Sequence, residues 1–358
     1  MSPTPLSDGP SAPGALPPGQ RILIVRTSAL GDVIHTLPVL SALRSACPDA
    51  TIGWVVESHF AAVLEDHPGI DTIIPVRLRP WRKKPWDRQV RQEIGVARSA
   101  LRAFRADVAL DLMGNHKGGL IARLSGARRV IGARRADRRE GSSAVWIGEQ
   151  VATPGRHAVD QYLDLLAPLG IAVDEPHFGG EHLLPNPPSE ALDFLARIEK
   201  PFVAIQAGAG WANKTYPPER WGAVARALRD DPGIESWVPI APGEEDLAER
   251  IVAASDGAAR SVDARAFSFL AALLRRASLV LGGDTGPIHM AHALDTPVLC
   301  LIGPTDPLRN GPYRRPEQVL FKPLPCSYCY KRFDEPKACL LAFDPETVAR
   351  QARRLLAD

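Results

Sequence analysis

The sequence predicts an α/β protein of two domains, each with a mostly parallel β-sheet covered by helices. The length of 358 residues suits two domains. Short apolar runs alternate with longer amphipathic runs, which is the pattern of βα units. A proline- and glycine-rich passage, DEPHFGGEHLLPNPPS at residues 174–189, interrupts this series before it restarts. Ligands of such domains bind at the carboxyl ends of the strands, so facing domains would form a cleft there.

The elements follow in chain order. In the first half, strands are predicted at 21–25, 51–56, 72–75, 108–110 and 129–131, and helices at 32–46, 88–105 and 157–169. In the second half, strands are predicted at 202–206, 237–240, 279–281 and 298–301, and helices at 218–228, 244–253, 267–275, 285–293 and 345–355. Both halves therefore consist of the same kind of unit.

Composition excludes several classes of protein. Apolar residues make up 45% of the chain and charged residues 23%, as in an ordinary globular protein, and a net charge of +2 does not favour nucleic acid as a partner. Five scattered cysteines favour a reducing cytoplasm over a disulfide scaffold. No apolar run reaches the roughly 18 residues of a membrane span. The first twenty residues, MSPTPLSDGPSAPGALPPGQ, lack the features of a secretion signal and predict a disordered tail.

One segment is strongly basic. Residues 77–91 contain seven arginines or lysines and one acidic residue, Asp87. Such a patch suits phosphate groups or an anionic membrane surface. A solvated basic face explains the charge equally well.

The motif RTSALGDVIHTLP, residues 26–38, follows the first apolar run. It predicts a strand, a tight turn at Gly31 and a helix that begins near Asp32. A helix start in this position usually holds phosphate, yet here it carries a carboxylate. Asp32 is therefore either a helix cap or a group with a chemical role.

The stretch LGGDTGPIHMAHA, residues 281–293, predicts a second strand-turn-helix unit. Asp284 or Thr285 can cap its helix, and the N–H groups of Thr285 and Gly286 would face an anion. His289 follows one turn later. These residues predict either a diphosphate site or a well-capped helix with a surface histidine.

Two more charged residues follow strand ends. Lys214, in WANKTYP, could neutralise a leaving pyrophosphate or could be an exposed loop lysine. Glu244, in APGEE, could bind ribose hydroxyls or could be a first-turn helix acid. The G-x-G-x-x-G fingerprint is missing after the first strand, and Asn213 interrupts it after Gly208, which disfavours a nicotinamide enzyme.

Several long motifs resemble those of glycosyltransferase family 9, the heptosyltransferases of bacterial lipopolysaccharide core assembly. They are RTSALGDVIHTLP, GDTGPIH at 283–289, GPTDP at 303–307, and IPVRLRPWRK at 74–83, which most resembles the type that adds the first heptose. The resemblance extends over residues 21–355.

The resemblance implies a GT-B fold, in which two facing Rossmann-like domains enclose a deep cleft. It implies an acceptor-binding domain at 21–175, a linker region at 176–200, a nucleotide-sugar-binding domain at 201–342 and a final helix at 343–358 that crosses back to the first domain. It also implies that a heptose moves from a nucleotide-diphosphate sugar, ADP-heptose, to a lipopolysaccharide core acceptor. This transfer would invert the anomeric carbon and use neither a cofactor nor a bound metal.

The resemblance also implies residue roles. Asp32 would be the general base, and Lys214 would stabilise the departing diphosphate together with the amides of Thr285 and Gly286. Glu244 would hold the ribose. The remaining donor residues would be Asp284 and His289. The acceptor residues would be Ser28, Gly31, Arg79, Arg82, Lys83 and Lys117, the last in DLMGNHKG at 111–118.

The implied partners are the donor, the anionic acceptor and, transiently, the anionic inner face of the inner membrane. Two other functions fit the same residues: a different glycosyl transfer in surface-glycan assembly, and a non-catalytic binder of nucleotide sugars. The presence of both Asp32 and Lys214 favours catalysis, because a non-catalytic relative would more readily have lost one of them.

The cysteines allow a further interpretation. Cys326 and Cys329 form a C-x-x-C pair, and Cys339 follows, which is three ligands of a zinc-type site without a fourth. We expect no metal there. Cys47 and Cys300 are expected to be small buried residues.

Overall fold

Two six-stranded parallel β-sheets dominate the computed structural model, which describes residues 17–184 and 186–357. The first sheet contains β1 (Arg21–Val25), β2 (Thr51–Glu57), β3 (Thr72–Val76), β4 (Val108–Asp111), β5 (Arg129–Ala133) and β6 (Glu149–Val151). The second contains β7 (Phe202–Gln206), β8 (Glu235–Ile240), β9 (Ala259–Asp263), β10 (Leu279–Gly283), β11 (Val298–Ile302) and β12 (Val319–Phe321). The predicted α/β class with two parallel sheets is confirmed. Most of the predicted disordered tail, residues 1–16, lies outside the described residues.

The two sheets have the same strand order. They run β3-β2-β1-β4-β5-β6 and β12-β11-β10-β7-β8-β9, so each is doubly wound about its own first strand. The order reverses between β1 and β4 in one sheet and between β7 and β10 in the other. Ligands of doubly wound sheets bind at the carboxyl ends of those strands. The topology therefore predicts that ligands bind at the loops that follow β1, β4, β7 and β10.

Helices cover both sheets. In the first half they are α1 (Leu30–Ile34), α2 (Leu37–Ala46), α3 (Ser58–Leu64), α4 (Leu78–Lys83), α5 (Arg88–Ala103), α6 (His116–Leu124) and α7 (Ala158–Leu163). After these come α8 (Ser189–Ala196), α9 (Pro218–Asp230), α10 (Glu245–Ala254), α11 (Phe267–Arg276), α12 (Gly286–Ala293), α13 (Pro307–Asn310), α14 (Ala338–Leu341) and α15 (Pro345–Ala357). None of the helices within these described ranges is long and apolar enough to cross a membrane.

The helix predicted at residues 32–46 is two helices. It begins at Leu30, two residues earlier than predicted, and breaks between α1 and α2 at His35 and Thr36. Pro38 accounts for the break, because its ring lacks an N–H and would clash with the carbonyl of Ile34 in a continuous helix. The predicted helix at 157–169 likewise ends early, at Leu163, and continues as a 3₁₀ segment that contains Pro168.

The final helix packs on the second domain, so the expectation that it crosses back to the first domain is wrong. The apolar face of α15 carries Val348, Ala352 and Leu355, which lie in a core cluster built only from second-domain residues. Arg353 of the same helix donates hydrogen bonds to the carbonyls of Ala227 and Asp231 near the end of α9. The sequence pattern predicts a helix here but does not identify the surface that covers its apolar face.

The two domains touch through α1 and α12. A Cβ added to Gly286 would lie 2.6 Å from Leu30 of α1, and one added to Gly31 would lie 2.6 Å from the ring of His289. Both positions therefore need glycine for the helices to approach so closely. The sheets lie inside the ranges proposed for the two domains, 21–175 and 201–342, whose exact bounds stay a prediction.

Candidate active site

Most of the predicted site residues lie in the four loops at the two switch points or in the first turns of the helices that follow these loops. The loop after β1 leads to Asp32, and the loop after β4 leads to Lys117. In the second domain, the loop after β7 carries Lys214, and Asp284 follows β10 directly. Because α1 packs on α12, the β1 loop faces the β10 loop across the domain boundary.

Asp32 is the third residue of α1, and its carboxylate has partners on both oxygens. Oδ1 lies 2.5 Å from Nη2 of Arg26 and accepts a hydrogen bond from the hydroxyl of Tyr162 at 3.0 Å. Oδ2 accepts the backbone N–H of Ala29 at 3.2 Å. The side chain remains 34% exposed. Asp32 thus contributes to the helix start while part of its carboxylate stays accessible.

Electrostatics keep Asp32 ionised. Burial alone would raise the pKa of this carboxyl, but the charges of Arg26 and Arg309 and the Tyr162 hydrogen bond outweigh burial and lower the pKa. Arg26 is itself buried and donates to the carbonyl of Leu112 and to the Tyr162 hydroxyl. Burial raises the pKa of Tyr162, so its phenol keeps the proton that it donates.

Lys214 is a mostly buried residue and not an exposed loop lysine. Its Nζ lies 2.6 Å from Oδ2 of Asp284, and only 14% of the side chain is exposed. The ammonium also lies 4.7 Å from the ring centre of Trp211, whose other cationic neighbour is Arg332, also at 4.7 Å. These contacts fix the ammonium at the carboxyl end of β7.

Asp284 links the second-domain residues. Its Oδ2 accepts a hydrogen bond from the Thr305 hydroxyl at 2.7 Å, and its Oδ1 lies 3.1 Å from Nε2 of His289. Burial opposes the charged form, but the contacts with His289 and Lys214 prevail and hold the pKa of Asp284 far below its usual value. Asp284 is therefore an anion that orients a lysine and a histidine.

The start of α12 offers unused polar groups. Thr285 is the N-cap residue, and Gly286 begins the helix. The Thr285 hydroxyl is buried and has no hydrogen-bond partner among residues 17–184 and 186–357. Free donors at a helix start favour a bound anion, which supports the diphosphate interpretation over a merely capped helix.

Glu244 lies beside the loop that leads to Lys214. Its carboxylate packs so closely over Gly208 that a Cβ there would lie 1.8 Å from Oε1. Burial raises the pKa of this carboxyl. Glu244 is the N-cap residue just before α10, so it is not the first-turn acid that the sequence suggested as an alternative, and its side chain lies against the loop after β7.

Three of the predicted acceptor residues lie together on a separate face of the first domain. Arg79, Arg82 and Lys83 lie on α4 and are exposed. A shallow cavity of about 400 Å³ beside them is lined by Arg77, Arg79, Pro80, Lys83, Lys84, Asp87, Gln89, Val90 and Glu93. Trp86, in the turn between α4 and α5, is 85% exposed. We call residues 77–91 the basic face.

The remaining acceptor candidates have different surroundings. Lys117 is exposed on α6, near Glu57, whose pKa is raised by burial against the smaller opposing effects of the Leu78 N–H and the Lys117 charge. Ser28 is half-buried in the β1 loop. Asp111, the first residue of the stretch around Lys117, forms a fully buried ion pair with Arg138 at 2.5 Å. Asp111 therefore belongs to the framework of the first domain.

The three late cysteines lie near one another. Burial raises the pKa of Cys339, and the neighbouring thiols of Cys326 and Cys329 add to this effect. In the described part of the chain, no group of three or more histidine, cysteine, aspartate or glutamate side chains has an arrangement that could hold a metal ion. Cys300 is buried as expected, whereas Cys47 is only partly buried.

Comparison of the chain with models of protein families identifies its family. The model of glycosyltransferase family 9 (heptosyltransferase) matches residues 95–339, which is more than half of the chain. This chain belongs to glycosyltransferase family 9.

Individual family 9 proteins agree with this assignment over almost the whole chain. Lipopolysaccharide heptosyltransferase 1 of Pseudomonas aeruginosa is 30% identical over 94% of this chain and 98% of its own length. The solved structure of E. coli heptosyltransferase WaaC with ADP has 27% identity and a TM-score of 0.78, over 94% of this chain and 100% of that one. The structure of WaaC with ADP-2-deoxy-2-fluoro heptose has 27% identity and a TM-score of 0.76, and the match covers 94% of this chain and 99% of that one. The GT-B fold of a family 9 glycosyltransferase is thereby confirmed.

Four residues of this candidate site have no role in the sequence-based interpretation. Arg26 and His35 lie inside the quoted motif, but the motif did not indicate an ion pair or a domain contact. Thr305 lies in GPTDP, which was noted without a role. Tyr162 is 130 residues from Asp32 and follows no recognisable signal, so only the fold could identify it.

Proposed function

We propose that this chain transfers a heptose from ADP-heptose to a lipopolysaccharide core acceptor, with inversion at the anomeric carbon and without a metal ion. The observation that carries the proposal is the packing of α1, which carries Asp32, on α12, whose His289 bonds to the Asp284–Lys214 pair. The names of the relatives support a lipopolysaccharide acceptor. The ADP and the fluorinated ADP-heptose bound by WaaC support the donor.

The proposed reaction is a single displacement. The acceptor hydroxyl oxygen attacks the anomeric carbon from the side opposite the diphosphate. The bond from carbon to that hydroxyl oxygen forms as the bond from carbon to the diphosphate oxygen breaks, which inverts the centre. Asp32 accepts the hydroxyl proton as the new bond forms, and a carboxylate suffices because the proton becomes acidic only then.

The second domain supplies charge for the departing diphosphate. We assign this role to the Lys214 ammonium and to the N–H groups of Thr285 and Gly286 at the start of α12. Asp284 and His289 belong to the same donor site, where Asp284 orients Lys214. Glu244 would accept hydrogen bonds from the ribose, since its carboxylate lies against the loop after β7.

The donor assignment is tested with the purified protein and a panel of nucleotide sugars. We expect ADP-heptose to raise the unfolding temperature more than UDP- or GDP-sugars at equal concentration, because a ligand that binds the folded state stabilises it by mass action. ADP release should then depend on a lipopolysaccharide core acceptor. Stabilisation by another nucleotide sugar would contradict the donor, and stabilisation without transfer would indicate a binder.

The first domain would bind the acceptor. We assign the anionic acceptor to Arg79, Arg82, Lys83 and Lys117, with Ser28 and Gly31 beside the base. Guanidinium and ammonium groups suit carboxylates and phosphates. The exposed Trp86 within the basic face also supports transient contact with an anionic membrane surface, since tryptophan favours the interface between water and lipid. We accordingly propose a cytoplasmic enzyme that visits the inner face of the inner membrane.

Charge reversal tests the basic face. The double variant Arg82→Glu/Lys83→Glu should raise the acceptor KM at least about tenfold and leave the donor KM within twofold, because losing one charge-assisted hydrogen bond costs about 1.5–3 kcal/mol. Co-sedimentation with anionic vesicles should fall in parallel.

A matched control is the variant Arg197→Glu/Lys200→Glu, which changes the net charge equally at exposed positions after α8. It should keep both Michaelis constants and vesicle binding. A loss of donor affinity in the Arg82/Lys83 variant would mean that the basic face is misassigned.

A further inference from the structure

Four histidines gather where the two domains meet. His35 and His157 belong to the first domain, and His289 and His292 lie on α12 of the second. His35, His157 and His289 are buried. The ring of His35 makes edge-to-face contacts with His289 and His157, at centroid distances of 4.3 and 5.1 Å. Of the four, the proposed function uses only His289.

One hydrogen bond joins two of these histidines across the domain boundary. Nε2 of His35 lies 3.1 Å from Nδ1 of His289. The second nitrogen of His289 lies 3.1 Å from Asp284, and Asp284 in turn holds Lys214 at 2.6 Å. A continuous path of hydrogen bonds therefore runs from the end of α1, three residues after Asp32, to the ammonium at the donor site.

The protons on this path are constrained. An ionised Asp284 can only accept, so Nε2 of His289 carries a hydrogen. Burial and the rings of His289, His157 and His292 hold the pKa of His35 well below its usual value, so His35 is neutral. A neutral His35 can share a single N–H···N bond with Nδ1 of His289. This bond fixes the ring orientation of His289, and with it the nitrogen that faces Asp284.

His157 has its hydrogen-bonding capacity filled elsewhere. Its Nδ1 accepts the backbone N–H of Val159, and its Nε2 donates to the carbonyl of Gly311 at 2.9 Å. Because both ring nitrogens are bonded, the orientation of the His157 ring is fixed, and the ring of His35 packs against it. His35 is therefore oriented from one side by His157 and bonded on the other side to His289.

We propose that His35 is a positioning residue: its hydrogen bond to His289 holds the His289–Asp284–Lys214 path in place only while α1 lies against α12. Domain contact and the alignment of Lys214 then occur together. The inference rests on the proposed function of Lys214, because the path ends at that ammonium. An enzyme built this way stabilises the leaving diphosphate when Asp32 is also in place, and less well when the domains separate.

The test compares two substitutions of His35. His35→Phe removes the N–H, whereas His35→Gln keeps an amide N–H at nearly the same position. We expect His35→Phe to lower kcat about tenfold, equivalent to ~1.4 kcal/mol, with the donor KM and the affinity for ADP within twofold. His35→Gln should recover most of kcat. Small-angle scattering should give a larger radius of gyration for His35→Phe than for His35→Gln.

His67→Phe is the matched control, since His67 is another buried histidine of the first domain and its ring nitrogen Nδ1 bonds within that domain. It should lower the unfolding temperature without changing kcat more than twofold. Equal kcat values for His35→Phe and His35→Gln would overturn the inference. If the wild type transferred no heptose, the proposed function would fail, while ADP affinity and scattering would still test the domain contact.

Discussion

Replacing Asp32 with asparagine should lower kcat by about 10²- to 10⁴-fold, the usual contribution of a general base. The amide has nearly the shape of the carboxylate but cannot accept the acceptor's proton. Affinity for ADP should stay within twofold, because the proposed donor contacts come from the second domain. ADP release measured at saturating donor and acceptor, together with calorimetric ADP binding, separates the two quantities.

Asp49→Asn provides the control, since Asp49 is an exposed first-domain carboxylate. It should behave like the wild type in both measurements. If Asp32→Asn kept turnover within a few-fold of the wild type, Asp32 would not be the base.

The pH profile is a second readout of the same prediction. A base works when it is deprotonated, so activity is present above its pKa and disappears as the pH falls through it. Arg26, Arg309 and Tyr162 lower the pKa of Asp32 against the opposing effect of burial. The acid limb of kcat/KM should therefore lie below the ordinary carboxyl range. Tyr162→Phe removes one of these hydrogen bonds and should move that limb to higher pH.

The candidate site residues that the sequence could indicate are those that follow strand ends. Asp32, Lys214 and Asp284 each come shortly after a buried apolar run, and parallel topology brings such positions to one edge of a sheet. The geometry then distinguished between the interpretations that the sequence left open. Lys214 is buried against Asp284, which a loop lysine with no partner would not be.

The missed parts of the fold have physical explanations. Strands β6 and β12 are three-residue edge strands that are only partly buried, so they lack the apolar run that marks a central strand. Strand β9 reads ARSVD and is half polar. Tyr162 reaches Asp32 only through packing of the first domain. The edge strands are defined by pairing with a neighbouring strand, and Tyr162 by a partner 130 residues away, so no local pattern could indicate them.

Lys214→Ala should lower kcat by about 10²- to 10³-fold, which is the usual cost of removing one preorganised group that stabilises developing charge. The donor KM should change much less, because the diphosphate gains most of its charge as the bond to the sugar breaks. Lys214→Arg keeps a positive charge near Asp284 and should therefore lower kcat less than Lys214→Ala does. ADP release under steady-state conditions, with the donor varied at saturating acceptor, gives both parameters.

A structural effect must be separated from this electrostatic one. Lys214→Ala leaves the buried Asp284 with His289 and Thr305 as partners, so the carboxylate remains hydrogen-bonded and we expect a folded protein. Lys200→Ala, at an exposed position between α8 and β7, should leave both parameters unchanged. A Lys214→Ala enzyme that lost donor affinity but kept kcat would show that the ammonium binds the ground state. Charge stabilisation in the transition state would then have to come from the start of α12 alone.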